Sequence, residues 1–115
     1  MNNPRTKTYF TNTRWIAEIR LMKNSFPDFK PYIRPELIGF IGTLQGANGR
    51  IYEVEIQSSP ALYPLRAPKI FIRPHADSAH FYPDGSLSVC GPWRPNRDTF
   101  AQQVLYAANY LKQDG

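Results

Sequence analysis

The sequence predicts an α+β domain, an antiparallel meander packed on helices, and three observations carry that prediction. Trp15, Ile19, Met22 and Phe26 recur at a helical period and form one stripe. Residues 51–56 alternate, with Tyr52, Val54 and Ile56 on one side and Glu53 and Glu55 on the other, as in a strand with one wet face. The order of a helix, a hairpin and a further strand gives an antiparallel meander packed on a helix.

In chain order, residues 1–10 are polar and expected to be loosely held. A helix is predicted from about Asn12, with Thr11 or Asn12 as its N-cap and Pro27 as its stop. Arg14, Glu18, Arg20 and Lys23 lie off its apolar stripe and are expected to face water. Pro31 and Pro35 bracket a linker. Leu37 to Leu44 reads as a strand with Ile38, Phe40 and Leu44 on one face. The Gly46-Ala47-Asn48-Gly49 cluster turns it into the Ile51–Ile56 strand, because Asn and Gly tolerate positive φ. Ser58 to Pro68 is loop, and Lys69 to Arg73 is a third strand. After an irregular segment, Asp98 or Thr99 caps a last helix with Phe100, Val104, Ala107, Ala108 and Leu111 as its buried stripe.

A chain of 115 residues suffices for one domain, residues 1–115, that buries roughly two-thirds of its unfolded surface. Its single cysteine excludes an internal disulfide and fits a reducing, cytoplasmic setting. No apolar run approaches 18 residues and no signal-peptide pattern opens the sequence, so no membrane association is expected. The net charge of +5 is concentrated: residues 1–35 hold seven Lys/Arg against Glu18 and Asp28, and the remainder is balanced. That excess is either a solvated helix face or a docking surface for an acidic partner. Nucleic acid is the weaker partner, since the basic residues are not interleaved with aromatics in a binding motif.

The chemistry-bearing residues collect between Tyr63 and Pro95. His75, His80 and Cys90 lack the fourth ligand and the paired spacing of a structural zinc site, so no metal is expected. Asp84-Gly85-Ser86 is not a nucleophile elbow, and no phosphate-cradling glycine motif occurs. A lone-nucleophile site remains. Thiolate is the strongest nucleophile among ordinary side chains, and a free thiol is a few per cent ionised at neutral pH. On an extended stretch Ser88 and Cys90, two apart, point the same way, towards a groove shared with Tyr82 or His80. The alternative for Cys90 is a buried small hydrophobe.

The series Tyr63-Pro64, Pro68-Lys69-Ile70-Phe71, His80, Asp84-Gly85-Ser86-Leu87 and Trp93-Arg94-Pro95, followed by an amphipathic helix, resembles the ubiquitin-conjugating enzymes. Members carry a YPxxPP loop, a four-stranded meander, an HPN motif, a Gly-x-[Ile/Leu]-Cys turn and Trp-x-Pro before the next helix. The resemblance covers essentially the whole chain and is nearest to the compact bacterial forms, including those of CBASS antiphage operons. It implies a carrier that accepts the C-terminal glycine of a ubiquitin-like protein, or of a cGAS-like nucleotidyltransferase tail, as a thioester and passes it to an amine without a cofactor. It also implies that an activating enzyme docks on the first helix, which gives Arg14, Arg20 and Lys23 a partner-binding role. Asp84, Gly85 and Trp93 would join them beside the tail, with Trp93 also anchoring the loop from below. The alternative is a silent binding module on the same scaffold.

Three departures from the family pattern stand out. Counted from Gly85, the family's cysteine falls on Ser88; counted from His80, it falls on Cys90. The count from Gly85 is the more local of the two. Ser88 is then an engineered Cys→Ser change, a natural loss, or a residue whose role has moved to Cys90. Tyr82 replaces the Asn of HPN, so its phenol either donates to an oxyanion or packs against Pro83 or the last helix. His80 is expected to lock the loop by hydrogen bonding rather than act as a base. Finally, the chain is truncated relative to the eukaryotic family, with one helix after the site loop.

Overall fold

The computed structural model of the chain describes residues 13–74, 80–88 and 91–114. Over these the order is α1 (Thr13–Ser25), β1 (Lys30–Ile33), β2 (Ile38–Gln45), β3 (Ile51–Ser58), β4 (Lys69–Arg73) and α2 (Phe100–Asp114). The strands form one antiparallel meander in the order β1-β2-β3-β4. Phe40 lies opposite Ile56, and Ile56 opposite Ile70, so the inward-facing residues of β2, β3 and β4 line up across the sheet. The α+β layering predicted from the sequence is therefore present.

The two helices cover that inner face. Trp15 and Met22 of α1 and Phe100, Val104, Ala107 and Leu111 of α2 are buried against Ile38, Phe40, Tyr52, Val54, Ile56, Ile70 and Ile72. At the point where α1, β2 and α2 meet, the Trp15, Phe40 and Phe100 rings lie 5.2 to 5.6 Å apart, pair by pair. Tilted and edge-on aromatic pairs of this kind add about 0.5–1.5 kcal/mol each beyond their buried area. Thr99 caps α2, its Oγ1 accepting from the Gln102 amide at 3.1 Å. At the other end of that helix, the Leu111 carbonyl accepts from the Ala47 amide of the β2–β3 turn at 2.9 Å.

Two expectations are corrected. The Pro31–Pro35 stretch is not simply a linker, because Lys30–Ile33 pairs with β2 and completes a four-stranded sheet. Proline is tolerated there because β1 is an edge strand, where one side of the ladder needs no donor. Glu18 does not face water; it is only 2% exposed and sits between α1, the segment after β3 and the start of α2. The expected caps Thr11 and Asn12 lie outside the described residues. Among the described residues no helix is long and apolar enough to cross a membrane.

Candidate functional site

Beyond β4 the described chain resumes at His80, and at Ser86 and Leu87 it pairs back on that strand. The Leu87 amide donates to the Ile70 carbonyl at 2.8 Å, and single bridges join Phe71 to Ser86 and Phe81 to Leu87. The reversal is a tight turn. Gly85 takes a φ of +92°, which an L side chain would disfavour, and its amide donates to the Tyr82 carbonyl at 2.8 Å. Asp84 shapes the same turn from within: Oδ1 accepts from the Ser86 amide (2.9 Å) and hydroxyl (2.7 Å), while Oδ2 meets Lys69 Nζ at 2.7 Å. The Lys69 bond, then those from Ser86, hold the Asp84 carboxyl well below the usual carboxylate range.

This turn delivers Ser88 to the wall of a groove of about 440 Å3. Tyr82, Leu87, Ser88 and Gly91 line one side of it, with Ala67, Lys69 and Gln103 among the rest. A volume of that size falls within the ~300–1,000 Å3 range of small-ligand sites. Ser88 is half-buried, and both its amide (2.8 Å) and its Oγ (2.9 Å) donate to the His80 carbonyl. His80 thus holds the loop through its main chain, while its ring meets that of Tyr110 edge-on at 5.6 Å. Tyr82 is 56% exposed and lines the groove. Cys90 and His75 lie outside the described residues. The next residue, Gly91, runs so close to α2 that a Cβ there would collide with the Tyr106 hydroxyl.

Trp93 anchors the far side of the loop. Its Nε1 donates to the Pro64 carbonyl at 2.7 Å, and its ring lies 6.4 Å from that of Tyr63. Tyr63 in turn donates its hydroxyl to buried Glu18, and Glu18 Oε1 accepts from the Phe100 amide, the first of α2, at 3.0 Å. Arg14 completes this knot. It lies over the Tyr63 ring and donates to the Tyr63 hydroxyl oxygen (3.0 Å) and the carbonyls of Pro95 (2.7 Å) and Asp98 (2.9 Å). Desolvation pushes the Glu18 carboxyl above its ordinary value, against the lowering bonds from Tyr63 and the Phe100 amide. Burial and the neighbouring Glu18 likewise push the Tyr63 phenol far up.

The partner-binding residues expected on α1 therefore separate. Arg14 is committed to internal bonds, whereas Arg20 and Lys23 are exposed. Sequence reasoning missed Glu18 and Tyr63 as structural partners. The one available signal was a carboxylate at a position bordering the apolar stripe, which does not say what lies 45 residues along the chain. Among the described residues no group of three or more His, Cys, Asp or Glu side chains converges to hold a metal ion.

No family model, no curated protein and no solved structure matches this chain. What the geometry offers chemically is local: a hydroxyl on a groove wall, a phenol on its rim and an ion pair on its floor. A main-chain carbonyl is the hydrogen-bond partner of that hydroxyl among the described residues, and a carbonyl cannot take a proton from it.

Proposed function

We propose that this domain is a ubiquitin-conjugating-like carrier that holds the C-terminal glycine of a partner's tail at position 88 or 90 and transfers it to an amine. The partner is a ubiquitin-like protein or a cGAS-like nucleotidyltransferase tail, charged by an activating enzyme, in bacterial antiphage defence in the cytoplasm. The observation that carries the reading is the placement of Ser88 on the wall of an open groove, on a turn held by Asp84, Gly85 and the His80 carbonyl. The step balances without a cofactor. The Cys90 thiolate attacks the carbonyl carbon of an activated tail, the donor thiolate leaves, and a thioester forms. An amine then attacks that carbon, and the amide bond releases the thiolate, which takes up the amine's proton. Ser88 in the same role would give an oxyester, which is far more sluggish toward amines. Tyr82, exposed on the rim, is the donor for the oxyanion of either step.

One observation favours the silent binding module as a second reading: the Ser88 Oγ proton is directed to a carbonyl rather than to a base. A peptide thioester ending in Gly-Gly, incubated with the protein and followed by intact mass, separates the two. The carrier reading expects an adduct that hydroxylamine removes and that is lost in Cys90→Ala or in Ser88→Ala. Peptide binding with no adduct under any condition leaves the silent module.

A further inference from the structure

We infer that the groove at Ser88 continues into a channel that selects an extended C-terminal peptide bearing an acidic residue a few positions before its terminal glycine. The direction of the peptide, with its end at Ser88, rests on the carrier reading. The channel itself rests on the two concavities that meet beside β4. The first, of about 440 Å3, contains Ser88; the second, of about 290 Å3, lies beyond Ala67 and Lys69, which line both. An extended chain passing Ser88 has this second hollow as its continuation.

The charges of the two ends differ. At the Ser88 end Lys69 is neutralised by Asp84 at 2.7 Å, so that part of the floor carries no net charge. The far end is lined by Leu37, Leu62 and Arg66 with neutral polar residues between, and no carboxylate lines it. Arg66 is exposed and makes no ion pair among the described residues. A guanidinium at the mouth of an otherwise apolar and neutral hollow favours a carboxylate and disfavours an ammonium. Leu62, exposed beside it, adds a place for an apolar side chain. The register follows from chain geometry. Arg66 and Lys69 are three residues apart, at most about 11 Å even when fully extended. A bound peptide rising about 3.3 Å per residue covers that span in three or four residues. Lys69 itself lines the Ser88 end, so the acid falls about three to five residues before the terminal glycine, at the fourth to sixth positions from the C-terminus.

The test uses the full chain and three fluorescent decapeptides ending in Gly-Gly, with Glu, Ser or Lys at the fourth, fifth and sixth positions from the C-terminus. Anisotropy titrations at low salt are expected to rank them Glu, Ser, Lys, with the extremes about tenfold apart. The ranking reverses in Arg66→Glu, flattens in Arg66→Ser, and collapses at about 0.5 M salt, where screening reaches only a few ångströms. Equal affinities, no binding of any peptide, or an unchanged ranking in Arg66→Glu with an unaltered melting curve overturns the inference. The covalent adduct is read separately. A protein that ranks the peptides and never acylates loses the carrier reading and keeps the channel, whereas one that acylates without ranking them loses the channel alone.

Discussion

Glu18 and Asp84 are two carboxylates with similar retinues, each bonded to a hydroxyl, a backbone amide and a cation, yet they are perturbed in opposite directions. Glu18 is buried, and desolvation outweighs its bonds, so its proton is held more tightly than usual. Asp84 is open to solvent, desolvation is minor, and the bonds from Lys69 and Ser86 win. The difference separates scaffold from site. Glu18 ties α1, Tyr63 and the first amide of α2 together, so the hydrophobic layers depend on it. Asp84 gives one turn its shape beside Ser88, and water can replace much of what it does for stability.

The largest expected effect comes from breaking the buried member. Glu18→Ala strands the Tyr63 hydroxyl and the Phe100 amide and is expected to cost about 3 kcal/mol in urea unfolding. Asp84→Ala, measured alongside, is expected to keep its midpoint far closer to that of the unsubstituted protein while slowing adduct formation. Equal midpoints for the two variants would remove the distinction. Trp93→Phe tests the link between the regions, since it deletes the bond to the Pro64 carbonyl and keeps most of the ring. A loss of about 1 kcal/mol is expected, and an unchanged midpoint would show that the anchor carries nothing.

The pH dependence sharpens the same contrast. Because the folded Glu18 carboxyl binds its proton more tightly than the unfolded one, its contribution is fully present below about 4.5 and lost as pH rises through the raised value. Asp84 does the reverse. Its contribution is present above about 3.8 and lost as pH falls toward its lowered value. Relative to the unsubstituted protein, Glu18→Gln should therefore gain stability as pH rises from about 4 to 7. Asp84→Asn should lose its disadvantage as the solution is acidified. Melting curves across pH check both, and parallel profiles for the two variants would contradict the assignment. The smallest effect is expected at Arg20 and Lys23. Reversing both charges should change stability by less than about 0.5 kcal/mol while weakening capture of an acidic partner; a larger stability loss would mean that they too are structural.

The elements that local pattern specifies were legible in the chain. Helical spacing locates α1 and α2, and the alternation of Tyr52, Val54 and Ile56 gives β3 its inner face. β1 was not legible, because its register comes from its neighbour and not from its own residues. It is an edge strand with a proline inside, and part of its hold is the Tyr32 hydroxyl reaching over Gly39 to Glu55. Glu18 was misread for a related reason. A carboxylate on a helix flank is ordinarily solvated, and only the arrival of Tyr63 and Phe100 from distant parts of the chain encloses it. At the site, a turn at Asp84, Gly85 and Ser86 was implied only by the resemblance to the family's Gly-x-[Ile/Leu]-Cys turn. That Ser88 meets a groove depended on the long-range pairing of Ser86 and Leu87 with β4.

The most direct measurement installs a thiol where the groove is. In a Cys90→Ala background, Ser88→Cys is compared with Asn24→Cys, a thiol placed on the exposed side of α1. Each is scaled by its rate with a small alkylating reagent, and both are offered the Gly-Gly peptide thioester. The account predicts acylation at position 88 at least tenfold faster than at position 24 after that scaling, slowed by excess free peptide. Equal scaled rates, indifferent to the competing peptide, would contradict it.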